Sequence, residues 1–80
     1  MAIRAYVLVR FEADSSKQVI NDLRQSKGVI SADLVTGPYD AIVLIEATDI
    51  NEIAELVINK INKIPEAASS MTCLAIQSHT

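Results

Sequence analysis

The stretch Val29-Ile30-Ser31-Ala32-Asp33-Leu34-Val35-Thr36-Gly37-Pro38-Tyr39-Asp40-Ala41-Ile42-Val43-Leu44-Ile45-Glu46-Ala47 decides the fold. Its second half, Ala41 to Ala47, is apolar on both parities through Ile42, Val43, Leu44 and Ile45, the pattern of a central strand covered on both faces. Its first half, Val29 to Val35, alternates weakly and carries Ser31 and Asp33, which suits an edge strand where charge discourages further pairing. Between the two, Thr36-Gly37-Pro38-Tyr39-Asp40 places a flexible glycine, a φ-fixing proline, an aromatic ring and a carboxylate within one corner. The segment therefore reads as a β-hairpin whose turn is a candidate ligand corner.

Working outward, Ile3 to Phe11 is a strand with Ile3, Ala5, Val7, Val9 and Phe11 on one parity and Tyr6 and Leu8 between Arg4 and Arg10 on the other. Its middle is apolar on both faces, as for a central strand. A helix follows, opened by a capping box of Ser15 with Gln18, striped by Val19, Ile20 and Leu23, and stopped by Gly28 after Lys27. A second helix opens on Asp49 with Glu52, follows the stripe Ile50, Ile53, Leu56, Val57, Ile61 and Ile64, and ends at Pro65. The last strand runs from about Ser69 to Gln77, with Met71, Cys73 and Ala75 on one parity and Ser70, Thr72, Leu74 and Ile76 on the other. It reads as a second edge.

The order βαββαβ is that of an α+β, ferredoxin-like domain, a four-stranded antiparallel sheet with two helices on one face. The first and third strands fall at its centre, where the two doubly apolar runs belong. The other sheet face then has no cover within the chain, and an apolar patch of that kind marks an interface. We expect face-to-face homodimerisation through Tyr6, Leu8, Ile42 and Leu44, although both parities of the central strands are apolar.

Composition narrows the function. Eighty residues form one domain, residues 1–80, with a loose tail at Ser78-His79-Thr80. Half the residues are hydrophobic, which is more apolar surface than one thin core needs. The net charge is −3 and the seven basic residues are scattered, so no face suits direct DNA binding. No apolar run approaches the roughly 18 to 20 residues of a membrane span. One cysteine, Cys73, and no signal-peptide pattern at the start point to the cytoplasm. Cys73 reads as a small core or interface hydrophobe, and His79 as a solvent-exposed tail residue. One His and one Cys cannot build an ordinary metal site or a catalytic triad, and two glycines make no phosphate loop. No cofactor is expected, and the chain reads as a binding module and not an enzyme.

Ala5-Tyr6-Val7-Leu8-Val9, Leu34 to Val43 with its Thr-Gly-Pro-Tyr-Asp turn, and Met71-Thr72-Cys73-Leu74-Ala75-Ile76, in this order of elements, resemble the effector-binding domain of the Lrp/AsnC regulators, called the RAM domain. The resemblance covers almost the whole chain, and its most specific piece is the hairpin motif. Full-length members carry an N-terminal helix-turn-helix, whereas here the first strand begins at residue 3. The resemblance thus implies a stand-alone module that modulates transcription or metabolism through assembly. It also implies a dimer that assembles into larger rings, an amino acid or related metabolite as effector at a contact between dimers near the hairpin, and association with full-length Lrp/AsnC regulators.

The residues suit such an effector. Asp40 is a partner for an ammonium, Gly37 lets a ligand approach the backbone, Thr36 and Thr72 offer hydroxyls, and Tyr39 offers an apolar wall with a polar tip. Each has a plainer reading beside it. Gly-Pro-Tyr-Asp is also an ordinary turn closed by an Asp hydrogen bond, and Thr72 is an ordinary β residue. Two other functions use the same features. One is an adaptor that recruits a protein through the apolar face without any effector. The other, by fold analogy alone, is a cofactor-independent enzyme of the dimeric α/β-barrel type using Asp40 or Glu46 with Tyr39 at a subunit interface.

Overall fold

The computed structural model of the chain describes residues 2–12, 16–65 and 67–76. The elements are β1 (Ile3–Phe11), α1 (Ser16–Arg24), β2 (Val29–Leu34), β3 (Ala41–Ala47), α2 (Ile50–Leu56) continued by a π-helical turn (Val57–Ile61), and β4 (Ala67–Leu74). The sheet is antiparallel in the order β2-β3-β1-β4. The two strands read as apolar on both faces are the central ones, and the two weaker strands are the edges. This is the ferredoxin-like arrangement expected from the order of elements.

Pairing of β1 with β3 runs without interruption from Ile3↔Ala47 to Val9↔Ala41. Residues opposite each other share a face, so Ala5, Val7 and Val9 lie beside Ala41, Val43 and Ile45. All six are fully buried under the helices. Val19, Ile20 and Leu23 of α1, Ile53 of α2 and Ile61 complete this side of the core. Tyr6 and Leu8 of β1 consequently share the other face with Leu44 and Ile42 of β3, and Cys73 and Met71 of β4 extend the same rows. Tyr6 is 46% exposed and Met71 48%, while Leu8, Ile42 and Leu44 are half-buried. The parity question is therefore decided: the open face carries Tyr6, Leu8, Ile42 and Leu44. Cys73 is exposed on it, so it is not a core residue of the single chain.

Helix limits depart from the sequence reading at the end of each helix. The capping box at Ser15 and the tail with His79 lie outside the described residues. Helix α1 ends at Arg24, earlier than Lys27, because Gln25 and Ser26 turn back onto the carbonyls of Asp22 and Leu23. Gly28 is the pivot into β2 and not the immediate helix stop. At φ +91° it brings its carbonyl to the Glu46 N–H at 2.9 Å while its bare Cα faces Leu56. The second helix is capped largely as expected: the Asp49 carboxylate accepts from the Glu52 N–H at 2.8 Å, and Glu52 reaches back one residue further, to Thr48.

That helix does not run as a plain α-helix to Ile64. In such a helix the residue seven after Ile53 returns to the same face, which would drive Lys60 into the core. The turn closed by Asn62 N–H on the Val57 carbonyl, at 2.8 Å, inserts one residue. Lys60 is thereby exposed and Ile61 is buried. Ile50, read as part of the core stripe, is exposed because it starts the first turn beside the edge strand. Strand β4 also begins two residues earlier than expected and ends at Leu74. Its register on β1 slips at Ala68, between Arg10↔Ser69 and Phe11↔Ala67.

The two glycines carry separable costs. A Cβ at Gly28 would lie 2.9 Å from a Leu56 methyl, whereas at Gly37, with φ +140°, nothing lies within 4 Å. Gly28→Ala and Gly37→Ala should each destabilise the fold by roughly 1 to 3 kcal/mol through backbone strain. Urea unfolding should show the larger loss at Gly28, where Leu56 must also move; an equal or smaller loss there would refute the close-approach role.

Candidate functional site

The corner 36–40 is built from contacts near and far in sequence. Val35 N–H donates to the Asp40 carbonyl at 2.9 Å and closes the turn, and Asp40 N–H donates to the Val9 carbonyl at 2.9 Å, extending the central pairing by one step. The slip at Ala68 marks the end of the regular β1 to β4 register, and the Asp40 Oδ2 accepts from the Phe11 N–H there at 2.8 Å. Among the described residues Oδ2 is the only oxygen of this carboxylate that receives a donor. Asp40 thus closes the turn with its backbone carbonyl, while its side chain bonds to the end of β1 and not within the turn.

Arg10 holds the corner from the same strand end. Its Nε and Nη2 donate to the Pro38 carbonyl at 3.2 and 2.8 Å, and its guanidinium carbon lies 5.5 Å from the centre of the Tyr39 ring. Thr36, Gly37 and Pro38 are exposed, and Tyr39 and Asp40 are half-buried. The result is a stiff turn with an aromatic face, a carboxylate and an exposed positive-φ glycine at the surface.

In the sequence Arg10 is one of several scattered bases. Its signal lies in position: it follows the apolar middle of the strand that pairs with the hairpin, yet only the register shows that it reaches Pro38. Four of the five proposed ligand residues, Thr36, Gly37, Tyr39 and Asp40, come together. Thr72 does not join them within one chain. It lies opposite Val7 on the far edge strand, on the helix side, where it lines an apolar groove with Ile50, Ile53, Ala54, Val57 and Leu74.

On the open face, the apolar rows end at Arg4, whose Nε donates to the Glu46 carboxylate at 2.9 Å. Both side chains are well exposed, so this pair contributes at most about 1 kcal/mol and serves mainly as a polar rim. Glu46, named for the enzyme reading, therefore sits across the sheet from the corner and not beside Tyr39. Among the described residues no group of three or more His, Cys, Asp or Glu side chains is placed to hold a metal ion. No helix there is long and apolar enough to cross a membrane.

A family model described as the Lrp/AsnC ligand binding domain matches residues 4–80. An uncharacterized HTH-type transcriptional regulator of Pyrococcus furiosus is 27% identical over 74 residues, which cover 89% of this chain and 49% of that protein. The chain thus spans about half the length of the curated relatives it matches. A solved structure from Thermus thermophilus superposes with a TM-score of 0.90 at 26% identity, covering 98% of each chain. A transcriptional regulator of Neisseria meningitidis, solved in complex with L-Met, gives a TM-score of 0.83 at 18% identity and covers 98% of this chain and 53% of its own, a likeness of fold alone. Matched to the ligand-binding model along residues 4–80, the chain belongs to the Lrp/AsnC family.

Proposed function

We propose that this chain is an effector-binding and assembly module that takes an amino acid at the corner 36–40 and modulates transcription or metabolism through its oligomeric state. The observation that carries the reading is the half-buried Asp40. Its Oδ2 is held by the Phe11 N–H at the end of an exposed, glycine-containing turn that also carries Tyr39. Such a group is oriented before a ligand arrives, which lowers the ordering cost of binding an ammonium. The L-Met bound by the fold relative from Neisseria meningitidis supports an amino acid as the class of effector.

Assembly is the second half of the proposal. The open face has an apolar centre, Tyr6, Leu8, Ile42, Leu44 and Met71, with a charged rim at Arg4 and Glu46, the usual anatomy of a protein interface. A second copy placed face to face would cover it. The corner lies at the end of the same sheet, so contacts between dimers could complete the site with residues such as Thr72 from another chain. An effector that favours one assembly then shifts the equilibrium toward it. Association with DNA-binding family members would pass this response on. An effector-free adaptor would use the same open face but would not need the charge of Asp40.

Thermal unfolding against each of the twenty L-amino acids tests the effector. A specific ligand at about a hundredfold excess over Kd should add roughly 2.7 kcal/mol per site, a shift of several degrees for so small a domain. Asp40→Asn keeps an acceptor for Phe11 N–H but loses the charge, and it should abolish the shift while folding normally. Asp40→Ala also removes the acceptor and should cost about 1 to 2 kcal/mol in stability. An unchanged ligand shift in Asp40→Asn, or a flat panel for the wild type, would favour the adaptor. For the interface, Leu8→Glu should convert the dimer or its multiples to a folded monomer in sedimentation; an unaltered mass would rule out the open face.

A further inference from the structure

Arginines in this chain are treated differently by their surroundings. Arg4 meets Glu46 at 2.9 Å and Arg24 meets Asp33 at 3.6 Å. Among the described residues Arg10 has no carboxylate within 4.0 Å. Its two donors, Nε and Nη2, converge instead on a single neutral oxygen, the Pro38 carbonyl. The guanidinium fork is shaped for two parallel hydrogen bonds to the two oxygens of a carboxylate, which are also the stronger bonds because the acceptor is charged. The corner therefore holds its cation on a substitute acceptor.

The anion of the corner is close by in the fold and separately occupied. Asp40 is fixed on the N–H of Phe11, the neighbour of Arg10, and Tyr39, which precedes Asp40, carries the Arg10 guanidinium over its ring. One positive and one negative group thus hold the same turn without forming an ion pair with each other.

We infer that Arg10 is the carboxylate receptor of the site, exchanging the Pro38 carbonyl for the carboxylate of an incoming α-amino acid whose ammonium faces Asp40. The inference rests on the reading that the corner binds an amino acid, and it assigns the second charge that such a zwitterion requires. Selectivity follows from the pair of charges: an amino-acid amide lacks the group that Arg10 reads. Arg10 also terminates the open-face row Arg4, Tyr6, Leu8, Arg10, so its release from Pro38 would be felt at the edge of the apolar patch.

The test titrates the full chain with the twenty L-amino acids and their C-terminal amides. The amino acid that binds the unmodified chain best should lose about tenfold or more in affinity as its amide. Arg10→Gln should weaken the acid by a similar factor while binding the amide as the unmodified chain does, and Arg10→Lys should fall between because a point charge replaces the fork. The comparison of acid with amide needs no variant, so it holds even where loss of the Pro38 clamp unsettles the hairpin. Equal binding of acid and amide by the unmodified chain overturns the role of Arg10 and leaves the corner as a site. Unchanged acid affinity in a folded Arg10→Gln does the same. Binding of neither acid nor amide overturns the reading of the corner as an amino-acid site, and the role of Arg10 with it.

Discussion

The antiparallel pairing of β1 with β3 constrains everything else in this molecule. Seven consecutive pairs, Ile3↔Ala47 to Val9↔Ala41, commit Ala5, Val7, Val9, Ala41, Val43 and Ile45 to the helix side. A slip of one residue would turn one strand's inner set outward and bring Tyr6 and Leu8, or Ile42 and Leu44, beneath the helices. The small side chains on the inner face match the close approach of two helices, while the larger ones on the outer face are left half-exposed. The same register that builds the core therefore also builds the open apolar face.

It also builds the corner. Because the pairing ends at Val9↔Ala41, the residue before β3, Asp40, arrives at the end of β1, and its N–H, its carbonyl and its carboxylate each find a backbone partner. Arg10 adds a clamp from the side. A five-residue turn closed by its own bonds alone would fray; one pinned to a central strand is held in place while Gly37 keeps its surface open. Arg10 belongs by register to both surfaces, as the end of the open-face row and as the holder of Pro38.

The second helix shows how packing refines a pattern. Its buried residues Ile53 and Ile61 are eight apart, about 80° round an uninterrupted α-helix, in which Lys60 would lie nearer the centre of the buried stripe. The chain accommodates it with a π-helical turn, which leaves Lys60 in solvent, and Ser70 of β4 then meets Asn62 just beyond at 2.9 Å. Periodicity identified a helix there because most of its hydrophobic residues still faced inward. It could not locate the inserted residue, since that is fixed by where Ile61 must sit against the sheet.

By itself the sequence determined the number, type and order of the elements, because hydrophobic alternation, the Asp49 cap and the glycine-containing turn are local signals that need no partner. It also determined that Ala41 to Ala47 and Ile3 to Phe11 are central, since apolar residues on both parities suit the middle of a sheet and not its solvated edges. The family likeness was legible in the same runs, and with it the hairpin as the candidate site. Tertiary structure alone decided which parity faces the helices, that Cys73 and Met71 join the open face, that Arg10 and Phe11 belong to the corner, and that Thr72 does not join it within one chain. These are all matters of register between strands distant in sequence. Register is set by the summed burial of two complete faces, so no single residue announces it.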